Sequence, residues 1–258
     1  MSLFFLSLFA FVFGACLGSF LGVLVDRAST GEQVLRGRSK CEHCRKVLET
    51  RDLIPIVSYV LLKGRCRHCN SKIPLRVLLI EVTGGMIASG LFLYAYFTGL
   101  NIIELILLLA VFFSLVGIFF ADFSYGIIPD EFVATIILSS LFLLISYPQN
   151  LFQNLIVNII TGFLVFSFFL VIFLLTRGRG MGFGDVKLSF AIGLFLGFPK
   201  TIVALYVAFL TGMFISIILV LLGKKKLRGD SIAFGPFLVI GAVIGYFFGI
   251  QILNLFFK

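Results

Sequence analysis

Two aspartates, Asp122 and Asp185, are the residues of this sequence whose type and position best suit acid–base chemistry. They are 63 residues apart, and each stands at the edge of a long apolar run. Ionisable residues at membrane depth are functional candidates, because a charge there is costly to maintain. Two facing carboxylates can share a proton, so that one acts as general base on a water molecule and the other as general acid. The two aspartates therefore form a candidate catalytic pair.

Glycines precede Asp185 in the segment 177–188, which has the sequence RGRGMGFGDVKL. A glycine has no side chain, so a substrate backbone can approach it closely, and it adopts positive φ without strain. Gly182 and Gly184 suit both purposes. We expect this glycine-rich turn to bring Asp185 to a substrate.

Other interpretations of the same carboxylates remain open from the residues alone. Aspartate is a common helix N-cap, and Asp185 could cap the helix that follows it. Asp130, which follows Pro129, has the same option. Carboxylates at membrane depth also relay protons in proton-coupled transporters. Catalysis, helix capping and proton transport are therefore all compatible with these positions.

Four cysteines form a second group with chemical potential, in two C-x2-C pairs separated by 21 residues: Cys41 and Cys44, then Cys66 and Cys69. This spacing resembles a four-thiolate zinc ribbon, in which each pair presents two sulfurs to one ion. A redox dithiol or four free thiols are the alternatives. The predicted zinc is structural, because a polar segment of about 50 residues has little core and a metal supplies folding energy.

The apolar runs that carry the aspartates predict an all-α polytopic membrane protein. Of 258 residues 60% are hydrophobic and 33 are Phe, and the mean hydropathy is +1.15. Runs of this length span a bilayer core of about 30 Å. The first has no basic residue before it, so we expect a retained span and not a cleaved leader. Eight spans are predicted at about 2–24, 77–98, 102–121, 132–147, 151–175, 187–199, 201–222 and 232–257, the sixth being the shortest.

Basic residues fix the predicted topology. Segment 25–76 holds 12 of the 21 Lys and Arg, and segments 177–187 and 224–228 add seven more. With eight alternating spans all three segments fall on one side, and only Lys200 and Lys258 fall on the other. The positive-inside rule makes the basic side cytoplasmic and both termini external. We interpret the charge as topological anchoring and expect no nucleic-acid partner. Asp122 and Asp185 then both lie at the cytoplasmic face.

Several motifs together resemble one family, the bacterial type IV prepilin peptidases, which are membrane aspartyl proteases with a Gly-x-Gly-Asp signature. In chain order the motifs are GSFLGVLVDR, the loop GRSKCEHCRKVLETRDLIPIVSYVLLKGRCRHC, ADFSYGIIPDEF, MGFGDVKL and IAFGPFL. The match covers most of the chain. It departs at Gly22, where asparagine is common, and at the segment DRAST, where the family has arginine-leucine-proline.

The resemblance implies roles for the matching residues. Asp122 and Asp185 would be the catalytic pair, Asp130 a recurrent but non-essential acid, and Gly182, Gly184 and Lys187 part of the second catalytic motif. The family removes the leader of prepilins and pseudopilins at the cytoplasmic face, after a glycine. It often N-methylates the new N-terminal residue with S-adenosylmethionine, an activity tied to the cytoplasmic loop.

Gly64 and Glu81 match family positions linked to that methyl transfer. Relatives without the loop only cleave, and because this chain keeps the loop we expect a bifunctional enzyme. The expected domains are a first transmembrane helix at 1–24, a cytoplasmic zinc-binding loop and possible methyltransferase region at 25–76, and a peptidase core at 77–258. Zinc, S-adenosylmethionine, prepilin-like substrates and the lipid of a bacterial cytoplasmic membrane are the expected ligands and partners.

Three alternatives to this expectation remain. A peptidase without methyltransferase activity is one. A proton-coupled transporter would carry polar residues deeper in the spans, where only Glu81, near a boundary, and Glu104, at an outer end, come close. A non-enzymatic assembly protein would use the zinc loop to dock partners, and its two aspartates would be replaceable.

Overall fold

The chain is almost entirely helical, as the apolar runs predict. A computed structural model describes residues 3–30, 39–41, 43–146, 151–222 and 233–256. Its helices are α1 (Leu3–Thr30), α2 (Val57–Leu61), α3 (Leu75–Thr98), α4 (Ile102–Tyr125), α5 (Asp130–Ser146), α6 (Leu151–Leu175), α7 (Phe183–Leu196), α8 (Lys200–Leu221) and α9 (Gly235–Phe256). A 3₁₀ turn at Thr50–Leu53 and two isolated β-bridges complete the regular structure of the described residues.

Eight long helices occupy the places of the eight predicted spans, and the chain is a multi-pass membrane protein. Six of them, α1, α3, α4, α6, α8 and α9, are long and apolar enough to cross a bilayer. The other two, α5 and α7, have 17 and 14 residues. The outermost residues of the spans predicted at 2–24, 132–147 and 232–257, and the basic segment 224–228, lie outside the described residues.

Helix α7 differs from the predicted span 187–199. It begins four residues earlier, at Phe183, and ends at Leu196. At 1.5 Å per residue it is about 21 Å long, which is shorter than the bilayer core. The earlier start places Asp185 in the first turn of the helix. The glycine segment therefore enters α7 and does not end before it.

The chain forms two compact units, residues 1–120 and 121–258. In the first unit α1 packs along α3, and glycines let the two backbones meet. A Cβ on Gly84 would lie 2.7 Å from the carbonyl oxygen of Gly14 and 3.1 Å from the Cα of Gly18. Small residues at such contacts allow the close packing that drives helix association in lipid. The segment between α1 and α3 holds the cysteine pairs.

Helix α7 is the centre of the second unit and contacts α5, α6, α8 and α9. Nine of its 14 residues are buried. A Cβ on Gly193 would lie 2.8 Å from the Cα of Gly162 in α6, and Asn158 Nδ2 donates to the Leu194 carbonyl oxygen at 2.9 Å. Neighbouring helices therefore cover most of α7, and the less covered stripe holds the exposed Phe183 and the half-buried Lys187 and Phe190. The helix can therefore carry a carboxylate without exposing it to lipid.

Because α1 and α3 are in close contact, we expect a methyl group added at their interface to destabilise the protein, and one added elsewhere on α3 to have little effect. We expect Gly84→Ala to lower the thermal unfolding midpoint in detergent, because overpacking costs about 1–3 kcal/mol. Gly90→Ala is the matched control on the same helix, since its Cβ would meet no atom within 4 Å. Equal midpoints for the two variants would contradict this account of the helix pair.

Candidate active site

Asp122 lies in the last turn of α4 and is 6% exposed. Its Oδ2 accepts a hydrogen bond of 2.9 Å from the backbone N–H of Gly235, the first residue of α9. The first amides of a helix have no partner within the helix, so they are free to donate to an anion. The N-terminus of α9 thus holds one oxygen of this buried carboxylate.

Asp185 lies in the first turn of α7 and is equally buried, at 6% exposure. Its Oδ2 accepts a hydrogen bond of 3.2 Å from the backbone N–H of Gly182, the N-cap of the helix. Its Oδ1 is buried and has no hydrogen-bond partner. Asp185 therefore supports the start of its helix with one oxygen, but from the third position of α7, because the N-cap is Gly182 and not Asp185 as the capping interpretation expects. The second oxygen remains available for chemistry.

The fold brings Asp122 and Asp185 into the same part of the second unit, although they are 63 positions apart in the sequence. Ile128 packs beside Gly235, whose amide holds Asp122, and beside Gly184, which precedes Asp185 in the chain. A Cβ on Gly184 would lie 3.0 Å from Ile128 Cβ, and one on Gly235 would lie 3.2 Å from Ile128 Cδ1. The Cβ on Gly235 would also lie 2.5 Å from Asp122 Oδ2. Both glycines are thus required by the packing around the aspartates.

The expected use of positive φ at the glycines before Asp185 is wrong. Gly182 has φ −76°, and Gly184 lies within α7; the positive values in this segment fall on Arg177 and Gly178. An α7 that starts at Phe183 needs helical backbone at Gly184, which explains the difference. Gly182 has room, since a Cβ there would make only ordinary contact, 3.7 Å from Asp185 Oδ2. Of these two glycines, Gly182 is the one still open to an approaching backbone.

Asp130 and Lys187, the other acid and the base of the two motifs, form an ion pair with each other. Asp130 is the first residue of α5, and its side chain is 74% exposed. Lys187 also lies over the ring of Phe183, at 5.7 Å from the centroid. The pair links the start of α5 to the first turns of α7. It therefore supports the helix that carries Asp185 and leaves Asp130 outside the buried carboxylate pair.

Sequence reasoning missed two contributors to this site. Gly235 was noticed only as part of the closing motif IAFGPFL, and Ile128 only as part of IIPDEF. A proline at the start of an apolar run, here Pro236, signals a helix N-terminus. Nothing in the pattern tells which carboxylate that terminus will meet.

The four cysteines of the first unit converge, as their spacing predicts. Their sulfurs all lie within 4.8 Å of one another, and Cys41 Sγ is 3.8 Å from Cys69 Sγ. With zinc–sulfur bonds of about 2.3 Å, the edge of a tetrahedral site is about 3.8 Å. The cluster therefore has the size that a tetrahedral ion requires.

The two cysteine pairs are built alike. In the first, Cys41 N–H donates to the Lys46 carbonyl oxygen at 2.9 Å. In the second, Cys66 N–H donates to the Ser71 carbonyl oxygen at 2.8 Å. The residue after each pair, Arg45 or Asn70, has positive φ. Each turn thus folds back after its second cysteine and presents two sulfurs.

The pKa values of the cysteine thiols also favour a bound cation. Hydrogen bonding by Ser71 lowers the pKa of the Cys69 thiol to about 6. A backbone hydrogen bond from Lys46 favours the Cys44 thiolate, but burial and the sulfurs of its neighbours raise the pKa of Cys44 to about 11. Four sulfurs this close cannot all be thiolates unless a positive ion neutralises them, so the donor set suits a metal.

The two residues linked to methyl transfer lie in the first unit. Gly64 has φ 66° and follows α2, where a Cβ would lie 3.0 Å from the Tyr59 hydroxyl. Glu81 is buried in α3, and its Oε2 accepts a hydrogen bond of 2.7 Å from the backbone N–H of Ile56. Gly64 therefore occupies a turn that only glycine forms without strain. Glu81 connects α3 to the segment before α2.

Two models of known protein families match this chain. Residues 12–96 match the model of the bacterial peptidase A24 N-terminal domain, and residues 107–217 match that of the type IV leader peptidase family. No solved structure matches the chain.

The chain is also similar over most of its length to proteins named prepilin leader peptidase/N-methyltransferase. One from Legionella pneumophila is 31% identical over 84% of this chain and 74% of its own length. One from Burkholderia pseudomallei strain 1026b is 28% identical over 93% and 85% of the two chains. One from Bacillus subtilis strain 168 is 27% identical over 96% of each. The chain belongs to the type IV leader peptidase family.

Proposed function

We propose that this protein is a membrane aspartyl endopeptidase that removes the leader peptide of type IV prepilins and pseudopilins. The observation that carries the proposal is the buried pair Asp122 and Asp185. Each is held through one oxygen by a backbone amide, and Asp185 Oδ1 has no partner. The names of the relatives support leader peptides as the substrate class. Cleavage follows a glycine at the cytoplasmic face of the membrane.

The reaction uses one protonated and one ionised aspartate. The ionised carboxylate takes a proton from a water molecule, whose oxygen attacks the scissile carbonyl carbon. The protonated partner gives its proton to the carbonyl oxygen, and a tetrahedral intermediate forms. Its collapse breaks the C–N bond as a proton passes to the leaving amine. No covalent acyl-enzyme forms, so serine and cysteine reagents are expected not to inhibit.

The amides of Gly235 and Gly182 position the two carboxylates for these proton transfers. Each amide fixes one oxygen of its aspartate and leaves the other to the reaction. The substrate is a short basic leader followed by an apolar helix, with its scissile bond at the membrane edge. Gly182 offers space for the substrate backbone. Such positioning contributes to the rate because reacting groups are already oriented.

The proposed location is a bacterial cytoplasmic membrane, with the aspartates facing the cytoplasm. Nineteen of the 21 Lys and Arg fall on the side of the chain that the alternation of spans assigns to the cytoplasm. The partners are prepilin-like substrates and membrane lipid. Nucleic acid is not among them, because these basic residues flank the spans and serve as anchors.

We further propose that the protein N-methylates the new N-terminal residue, with S-adenosylmethionine as co-substrate. The match of residues 12–96 to the N-terminal domain model and the printed names of the relatives support this second activity. Segment 25–76, with Gly64, and Glu81 in α3 are its proposed determinants. In this proposal residues 1–24 are the first transmembrane helix, and residues 77–258 form the peptidase core.

The metal proposed for the cysteine cluster is zinc. Cys41, Cys44, Cys66 and Cys69 would hold it, and the ion would neutralise four close sulfurs. Its role is structural, since it ties two turns of a segment that has few buried apolar residues.

Asparagine in place of either aspartate should abolish leader removal. We expect Asp122→Asn and Asp185→Asn to cut a purified prepilin about a thousandfold more slowly or worse, because asparagine cannot ionise. Mass spectrometry of the prepilin in detergent measures the loss of the leader. Glu131→Gln is the matched control, since this exposed residue lies in the first turn of α5. Normal cleavage by a folded aspartate variant would refute the proposed mechanism.

The support of Asp122 can be tested without changing a carboxylate. We expect Gly235→Ala to slow cleavage by about ten- to a hundredfold, because its Cβ would displace Asp122 and misplacement of a reacting group by 1 Å has effects of this size. Thermal unfolding, with Gly90→Ala as reference, checks that the variant folds. A stable Gly235→Ala enzyme with full activity would show that the amide of Gly235 does not position Asp122.

The cysteine cluster predicts a defined metal content. We expect purified protein to carry about one zinc per chain, and Cys69→Ser to carry less than half of that. Cys16→Ser, which changes an exposed cysteine of α1 outside the cluster, should keep the full amount. Elemental analysis after dialysis against a weak chelator gives the measurement. Zinc bound equally by the two variants would exclude the four-cysteine site.

A further inference from the structure

Glu81 is a buried carboxylate that the cleavage reaction does not use. It is 5% exposed, and two donors reach it: the backbone N–H of Ile56, at 2.7 Å from Oε2, and the hydroxyl of Ser19. Ser19 belongs to α1, Glu81 to α3 and Ile56 to the segment between them. One side chain therefore joins three separate parts of the first unit.

Close contact between the helices makes this junction possible. A Cβ on Gly18 would lie 2.7 Å from the Ile80 carbonyl oxygen and 3.0 Å from Glu81 Cα. The backbone of α1 thus lies directly against α3 at Glu81. This explains why Gly18 precedes Ser19 in the motif GSF: the glycine allows the approach, and the serine supplies the hydrogen bond.

Ile56 holds an unfavourable backbone conformation at the other end of the junction. Its φ is 64° and its ψ −52°, which is a genuine outlier for a β-branched residue. Conformations of this kind persist only when the surrounding structure holds them in place. The hydrogen bond of 2.7 Å from Ile56 N–H to the buried Glu81 side chain is a restraint at this position.

The restraint continues into the cytoplasmic segment. Ile56 is the N-cap of α2, which carries Tyr59. Tyr59 packs under Gly64, and the Gly64 carbonyl oxygen accepts a hydrogen bond of 2.8 Å from Ile73 N–H. Cys66, the first ligand of the second cysteine pair, follows two residues after Gly64. A shift at Ile56 would therefore move α2 and Gly64 together.

We propose that Glu81 is a positioning residue that anchors the segment 56–64 to the helix pair α1–α3. It acts on methyl transfer through the placement of this segment and does not contact the methyl donor or the substrate amine. The effect on methyl transfer rests on the proposed function, whereas the anchoring of the segment does not. The anchor depends on the length of the Glu81 side chain more than on its negative charge.

Two conservative substitutions of Glu81 separate the effect of side-chain length from that of charge. Glu81→Gln keeps the length and an oxygen that can accept from Ile56 N–H, whereas Glu81→Asp keeps the charge and is one methylene too short. We expect hydrogen exchange in the peptide 54–61 of the full-length protein to accelerate about tenfold or more in Glu81→Asp, and to stay within about threefold of wild type in Glu81→Gln. Ser19→Ala, which removes the second donor, should give a smaller acceleration.

Glu104→Asp is the matched control. Glu104 is also a buried glutamate of the first unit, but it accepts from Asn101 N–H at the start of its own helix. Its shortening should leave exchange in 54–61 unchanged. If hydrogen exchange in 54–61 were also unchanged in Glu81→Asp, the proposed anchor would be overturned, irrespective of the enzymatic activities of the variant.

Methyl transfer to a cleaved pilin, detected as a gain of about 14 Da, tests the proposed effect of Glu81 on this activity. We expect Glu81→Gln to methylate nearly as well as wild type and Glu81→Asp to methylate poorly, while both remove the leader normally. Loss of methylation in Glu81→Gln with wild-type exchange would overturn the proposal, because the carboxylate would then take part in the chemistry. If wild type itself does not methylate, the proposed second activity fails and the exchange data still decide the anchor.

Discussion

The second unit is organised around the free-energy cost of burying two carboxylates side by side. A buried carboxylate needs hydrogen-bond donors, and backbone amides at helix starts supply them without adding another side chain. Asp122 meets the first amide of α9, and Asp185 meets the N-cap amide of α7. Gly235 stands where a side chain would displace Asp122. Neighbouring helices cover most of the short α7, which keeps Asp185 buried.

Much of this arrangement could be predicted from the sequence. Apolar runs located the eight long helices, because a lipid-facing helix must be apolar over a known length. The spacing of the cysteines predicted their convergence, since C-x2-C turns are local structures. The position of Asp122 at a span's edge followed from the same counting of runs.

Other features depend on contacts between distant segments, which a sequence pattern does not contain. The amide of Gly235 that meets Asp122 is 113 residues away in the chain. The start of α7 at Phe183 was missed because glycines disfavour helix interiors, and here close packing against Ile128 outweighs that preference. The positive φ of Ile56 was also beyond prediction, since a β-branched residue gives no local reason for it.

The two helix starts at the aspartates have an electrostatic consequence. The aligned peptide dipoles of a helix place about half a positive elementary charge at its N-terminus. The starts of α7 and α9 together therefore contribute about one positive charge beside Asp122 and Asp185. In the proposed mechanism the pair shares one proton and carries one negative charge. The resting site is then close to electroneutral, and its formation avoids most of the Born energy of an isolated ion in a low-dielectric medium.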